Sequence, residues 1–539
     1  MRLGLSCDGF NPFKHMNTVH SVWPVFIHIY NLPPWMCMKK SFAFMTVLIP
    51  GPIEAGNDID VYLQPLIAEL KQLWSIQGVP TFDALLNESF SMRAALLWTI
   101  NDFPAYALMS GWSTKGELAC LVCGRNIRSR RLTHRRSFSY MGHRRFLRRN
   151  HPYRRDARSF DGTVEEGEAP GRMSGSEVLQ ELDGLSVEFG KGDPIDGKKR
   201  KRRSKEDDTH FNWRKRSIFF DLPYWETNLL RHCLDVMHIE KNVCELLLAT
   251  ILNIKDKTKD DLNSRLDLKE WGIRRSLHPE PAGEQWRLPH ACYVMNASER
   301  SRFLRVLENI KVPDGYSSNI SKRVNSKDVK LGGLKTHDYH VLMQELIPIA
   351  IRRVLPKNVR MVVIRLCNFY RDICAKRLLK KDVKKMKARA VTILCDLEKI
   401  FPPSFFTVMM HLTVHLAGEV ALGGPVFCRW MYPTERNIQT LKSYVRNMNR
   451  PEGSIAERYL GQECMDFCTM YLNKLETRRN RPMRNQDDQY EPIEPAFESI
   501  PQPGGLSTSY RLTDLSIDER DKAHRYVLFN CDVIEPYVR

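Results

Sequence analysis

Several features are missing from this sequence, and each absence excludes something. No run of about 18 uncharged apolar residues occurs, the length a membrane-crossing helix needs. The nearest candidate, SFAFMTVLIPGP at residues 41–52, is strand-length and ends in Pro-Gly-Pro. The opening MRLGLSCDGF lacks the apolar run and small-residue cleavage site of a secretory signal. The fourteen cysteines are scattered, which argues against a disulfide scaffold and for a reducing compartment. No internal repeat stands out. Acidic residues are in deficit, 63 Asp+Glu against 82 Lys+Arg, leaving a formal charge of +19 and a pI near 9.3. An excess of that size, with its arginines clustered, favours a polyanionic partner, nucleic acid first. With 42% hydrophobic residues over 539 positions the chain can bury a substantial core, and its length predicts two or three folded units with at least one linker.

Residues 1–125 read as mixed α/β. RLGLSCD is a strand entering a turn, VWPVFIHIYNL and SFAFMTVLI are β-rich runs joined through a Pro-Pro turn, and DVYLQPLIAELKQLW has helical apolar spacing. The apolar run RAALLWTIN ends at Asp102. Residues 126–216 hold blocks such as RNIRSRRLTHRRSF and GKKRKRRSKEDD, whose charge predicts a flexible, largely disordered basic linker. Within it, Lys198–Lys205 has the form of a nuclear localisation signal, giving an expected nuclear location. Residues 217–400 read as an all-helical unit, 401–475 as a histidine-bearing helix and a second helix after a Gly-Gly-Pro break, and 476–539 as a charged, Pro-rich tail.

Seven residues carry candidate chemistry. Asp8 in CDGFNPF and Asp102 in WTINDFPAY each end an apolar strand, where a carboxylate can project beyond the sheet toward a divalent cation; either alone is as well explained by a turn or a cap. Cys120 and Cys123 in CLVCG have the C-x-x-C spacing of half a zinc site. His411 and His415 stand four apart on an apolar helix, hence on one face, and can share an ion. His143 and His151 form a competing pair among arginines. Glu435 opens an amphipathic helix carrying Ile438, Leu441 and Val445, a position the helix dipole already favours for an acid.

The strings DGFNPF, LLWTINDFPAY, GWSTKGELACLVC, CLDVMHIEKNVCELLLATIL, FPPSFFTVMMHLTVHLAGE and GGPVFCRWMYPTERNIQTLKSYVRN resemble the transposases of plant CACTA elements, the En/Spm type. The likeness covers residues 1 to about 475 apart from the basic stretch. It implies an α/β, RNase H-like catalytic core interrupted by a large all-helical insertion, with a triad of Asp8, Asp102 and Glu435 holding Mg²⁺ or Mn²⁺. It further implies a structural Zn²⁺ on Cys120, Cys123, His411 and His415, an order of motifs shared with Transib transposases and the vertebrate V(D)J recombinase. The implied partners are DNA, at transposon ends and target, and further copies of the chain when active; no membrane is implied. Three converging carboxylates repel one another unless cations neutralise them, which is the physical sense of such a triad.

Two alternatives stay open at the level of sequence. Glu240, in the compact acidic and histidine-bearing CLDVMHIEKN with Asp235, competes with Glu435 as third acid, and His143/His151 compete with His411/His415 for zinc. The resemblance also implies more sequence upstream of Asp8 and beyond the last residue, so the chain reads as truncated. Its function is then either cut-and-paste transposition or, in a decayed or co-opted copy, DNA or protein binding alone.

Overall fold

The computed structural model describes residues 1–471 apart from 14–18, 35, 85, 188, 190–211, 312–318 and 326–329, together with 516, 518 and 522. The basic run Lys198–Lys205 and nearly all of the tail after 476 lie outside the described residues. The chain divides into two units, Met1–Cys468 and Thr469–Arg539, and the first contains the features discussed below.

β1 (Arg2–Cys7), β2 (Trp23–Ile29) and β3 (Ala43–Ile49) form an antiparallel meander. Their β-branched and aromatic content suits a pleated, buried surface, and β2 is buried along six of its seven residues. After α1 (Ile59–Trp74) and the hairpin β4 (Val79–Asp83) and β5 (Glu88–Met92), β6 (Ala95–Asn101) returns parallel to β1. A short fifth strand, β9 (His232–Leu234), joins parallel to β6, giving the order β3-β2-β1-β6-β9. The helical reading of residues 217–400 therefore misses this strand, as it misses the short antiparallel pairings of Glu280–Ala282 with Gln285–Arg287 and of Val324–Asn325 with Lys330–Leu331. Three residues buried on both faces show no alternation, so nothing in HCL distinguishes them from the helix that follows.

Side chains alternate across the sheet. Leu3, Leu5 and Cys7 face α1, whose Leu63, Ile67 and Leu70 are buried with them. On the other side Phe10, Val22 and Phe26 pack against Ile438, Leu441 and Ile455 from α13 (Tyr432–Tyr444) and α14 (Pro451–Tyr471). The result is a sheet between helical layers, each fully buried Leu or Ile contributing about 1.5–3 kcal/mol before entropy is counted.

The basic stretch departs from expectation. Across residues 126–187 the chain forms the hairpin β7 (Arg130–Leu132) and β8 (Ser137–Ser139), then α3 (Pro152–Arg155) and α4 (Gly175–Glu181), with Leu132, Tyr140, Phe160 and Val178 buried. Its arginines are part of the reason. Arg154 is 5% exposed and donates to the carbonyls of Arg145, Leu147, Glu165 and Gly167. Arg144, 1% exposed, pairs with Asp161 at 2.7 Å and lies over the Phe160 ring. Such arginines cross-link loops instead of solvating them. Residues 126–187 are therefore folded and not the disordered linker that composition predicts.

The helical remainder follows as α5 (Val236–Ile251), α6 (Leu262–Glu270), α7 (Ala297–Asn309), α8 (Thr336–Val341), α9 (Ile347–Ala350), α10 (Lys357–Ile373), α11 (Lys380–Ile400) and α12 (Val408–Gly423). Apolar faces of α5, α10, α11 and α12 share one large core. α12 is apolar almost all round, as a fully buried helix must be, and its polar exceptions include His411, His415 and Glu419.

Candidate active site and metal centre

The two central strands carry the first two acids. β1 and β6 run parallel with Ser6 opposite Ile100, so Cys7 lies beside Asn101 and Asp8 beside Asp102 at the carboxyl ends of neighbouring strands. The Asn101 side-chain amide donates to the Cys7 carbonyl at 2.9 Å and fixes that register. Asp102 caps α2 (Phe103–Ser110), its Oδ1 accepting from the Ala105 N–H at 2.8 Å. Asp102 stands at the strand end and acts as a helix cap, so one of its oxygens is used by the helix.

Glu435 comes to the same place from the first turn of α13. That turn is pinned by Thr434, whose hydroxyl bonds to Ser6 Oγ at 2.8 Å, and by the Met431 N–H, which donates to Asp235 at 3.0 Å. Asp235 follows β9 and caps α5, accepting also from the backbone of Met237 and His238. His238 completes the cluster: its Nδ1 is 2.6 Å from Asp235 and its Nε2 3.2 Å from Glu435.

The electrostatics report the same convergence. Burial, then the neighbouring Asp102, push the Asp8 carboxyl up to about 7, with Glu435 adding to the rise and His238 and the Gly9 N–H opposing it. Asp102 is also raised, by burial first and further by Asp235 and Glu435, against the Ala105 N–H and His238. For His238 burial disfavours the charged ring, but hydrogen bonds to Asp235 and Glu435 outweigh it and raise it to about 10. A cluster of half-buried carboxylates around one cationic ring is an arrangement that a divalent cation can enter. Asp8, Asp102 and Glu435 thus act on one another electrostatically, but among the described residues their oxygens do not form a group lying within 4.8 Å as the Cys120, Cys123, His411 and His415 ligand atoms do.

Glu240 is not part of this cluster. It is 1% exposed and committed to His340, 2.6 Å away, and to Gln344. Two residues after His238 on α5, about 200° further around the helix, it faces the interior of the helical unit.

The second centre is fully enclosed. Cys120 and Cys123 lie on the turn after α2 and meet His411 and His415 of α12, all four buried and with their ligand atoms within 4.8 Å of one another. Cys123 Sγ stands 3.4 Å from His411 Nε2 and 3.2 Å from His415 Nε2, Cys120 Sγ 3.5 Å from His415 Nε2, and the two Nε2 atoms 3.3 Å apart. Tetrahedral Zn²⁺ with its usual bond lengths requires N···N edges of about 3.3 Å and S···N edges of about 3.5 Å. The residues fit that ion. Burial disfavours the Cys120 thiolate, yet hydrogen bonds with Cys123 and the histidines bring the thiol well below its ordinary range. Cys123 is driven up, by its bond with Cys120 first. Burial lowers His415, favouring the neutral imidazole that ligates a metal.

The competing histidines are occupied elsewhere. His143 Nδ1 is 2.6 Å from Glu398, and His151 caps α3 by accepting from the Tyr153 N–H. His143 does pack near the centre, its ring 5.5 Å from that of His411. Sequence reasoning missed Glu419 and the positioning of His238. Glu419, wholly buried, accepts from the Leu234 N–H at 2.9 Å and pairs with Arg172 and Arg429, tying the histidine-bearing α12 to β9. Its signal was an acid on an otherwise apolar helix; that of His238 was Asp-x-x-His at a helix start.

Two family models match the chain. Residues 1–185 match Transposase_21, transposase family tnp2, a span that contains Asp8, Asp102, Cys120 and Cys123. Residues 373–486 match DUF4218, a domain of unknown function, which contains His411, His415 and Glu435. No curated protein matches the chain significantly. Together the matches support a transposase family and a transposase role, which implies DNA as partner and agrees with divalent-metal dependence. Among the described residues no helix is long and apolar enough to cross a membrane.

Proposed function

We propose that the chain is a cut-and-paste DNA transposase of the plant CACTA, En/Spm type, with an RNase H-like core, acting in the nucleus as an oligomer. Asp8, Asp102 and Glu435 are its catalytic, Mg²⁺- or Mn²⁺-binding acids, and Cys120, Cys123, His411 and His415 hold a structural Zn²⁺. The observation that supports this reading is the approach of the first turn of α13 to two parallel strand ends, with Asp8 raised by Asp102 and further by Glu435. The sheet order β3-β2-β1-β6-β9, antiparallel on one side and parallel on the other, supports the core assignment.

When bound, divalent cations activate the attacking oxygen and stabilise the leaving oxygen of a phosphodiester. The protein's part is positioning. Asp102 keeps one oxygen on the Ala105 N–H, and its other oxygen is the one left to hold a cation. Asp235 and His238 hold Glu435 at the strand ends. The Cys₂His₂ centre fastens the turn after α2 to α12, so the long helical stretch between the second and third acids does not separate them. In the chemical sequence, water cleaves the strand at the element end, releasing a 3′-hydroxyl, and that hydroxyl then attacks a phosphorus of target DNA, forming a new phosphodiester while the target's own 3′-oxygen leaves as a hydroxyl. No protein side chain becomes covalently attached.

The test is nicking of a duplex ending in the element's terminal sequence, with supercoiled plasmid as a sequence-neutral substrate, in Mg²⁺ and Mn²⁺. Cleavage by the wild type and its loss in Asp8→Asn, Asp102→Asn and Glu435→Gln support the reading. Salt-sensitive DNA binding with no cleavage under any metal replaces it with that of a remnant binding module. Loss in Glu240→Gln with activity retained in Glu435→Gln reassigns the third acid.

A further inference from the structure

The exposed side of α11 takes no part in either centre. Its first half reads KKDVKKMKARA, and Lys380, Lys381, Lys384, Lys385 and Lys387 are all exposed, while Val383, Met386 and Ala390 between them are buried in the helical core. At 100° per residue the five lysines fall within an arc of about 160°, over about 10 Å of helix axis. Lys385 lies 3.7 Å from Asp382, and for the other four the described residues provide no ion-pair partner. A surface whose charge only keeps a protein soluble intersperses both signs; this face carries five cations and one acid. Duplex DNA presents about six phosphate charges over the same 10 Å of its axis, so the charge densities match. The mounting is rigid, because the buried face of α11 packs with α12, which bears the two zinc-facing histidines.

We propose that the lysine face of α11 is a duplex-DNA contact that tracks the phosphate backbone and reads no sequence, since lysines reach phosphates as point charges. The inference rests on the reading of DNA as the partner and adds where, outside the acid cluster, the backbone is held.

The experiment uses the full chain and a random-sequence duplex, with binding followed by fluorescence anisotropy across a salt series. The variant combines Lys380→Gln, Lys381→Gln, Lys384→Gln, Lys385→Gln and Lys387→Gln. A control removes the same charge elsewhere through Lys71→Gln, Lys255→Gln, Lys257→Gln, Lys269→Gln and Arg287→Gln. Each phosphate contact contributes about 0.9 to the slope of log K against log salt. The expected result is a slope shallower by about 3–5 in the α11 variant, equally for unrelated sequences, with little change in the control and with melting temperature and metal content preserved. Wild-type binding with equal slopes in wild type and α11 variant overturns this inference alone. Equal losses in variant and control also overturn it, as does a loss confined to single-stranded RNA. A wild type that does not bind duplex DNA removes the functional reading itself, and this surface with it.

Discussion

Asp8→Asn should make the cation-free protein more stable, and by an amount that depends on pH. Asp8 is raised from 3.8 to about 7, chiefly by burial and then by the Asp102 carboxylate. Between those values the folded protein holds a proton that the unfolded chain has released, so this group's contribution falls as pH rises and the full cost is present above about 7. At 1.36 kcal/mol per unit the shift amounts to about 4 kcal/mol. Because the Asn amide must itself be buried there, the net gain should be about 2–4 kcal/mol at pH 8. Near pH 4 the carboxyl is protonated in the folded protein and about half ionised in the unfolded chain, so the gain should shrink to about 0.5 kcal/mol. The elevation of His238 to about 10 contributes a separate loss of stability as pH rises between its ordinary 6.5 and 10; it is present in both proteins and largely cancels in the comparison. The assay is denaturant and thermal unfolding at pH 4, 6 and 8 without added divalent cation, repeated in Mg²⁺. Saturating cation at about 100 times its dissociation constant adds about 2.7 kcal/mol to the wild type and should add much less to the variant, closing the gap or reversing it. An Asn variant no more stable than wild type at pH 8, or equally stabilised at every pH, would refute the idea that these carboxylates repel one another in the folded chain.

Other consequences can be checked directly. Purified protein should contain about one zinc per chain by elemental analysis, and Cys123→Ser or His415→Ala should lose it together with several degrees of melting temperature; retention of full zinc by both variants excludes the Cys₂His₂ centre. Glu419→Ala leaves the buried guanidinium of Arg429 and the partly exposed one of Arg172 without their shared carboxylate and should cost about 3–5 kcal/mol, measured by urea unfolding; a loss below 1 kcal/mol means water replaces the carboxylate. Gly111 ends α2 at φ +80°, and a Cβ there would come within 2.2 Å of the Lys215 carbonyl oxygen. Gly111→Ala should therefore lower the melting temperature, whereas an unchanged value shows that the segment around Lys215 yields freely.

Much of the sheet could be read from local pattern. β1, β2, β3, α1 and β6 lie where apolar runs and helical spacing put them, because each buries a face or stripe whose period appears in its own residues. β9 escaped because three doubly buried residues carry no period. Residues 126–187 were misread because composition treats every arginine as solvated, while Arg144 and Arg154 spend their donors on aspartate and carbonyl oxygens inside the fold. For the site, the residue types and order of Asp8, Asp102, Cys120, Cys123, His411, His415 and Glu435 were visible as motifs. The choice of Glu435 over Glu240 as the nearer acid was not, since both open or occupy amphipathic helices next to histidines.

The sequence by itself determined which residues could do chemistry: strand-ending aspartates, a C-x-x-C turn, histidines sharing a helix face and a glutamate at a helix start are local facts, set by spacing along one element. Only the tertiary structure decided which of them meet. The parallel register of β1 and β6, the Ser6–Thr434 bond and the Glu419 tie between α12 and β9 join elements far apart in sequence, and those contacts depend on packing between elements, which no single stretch of chain contains.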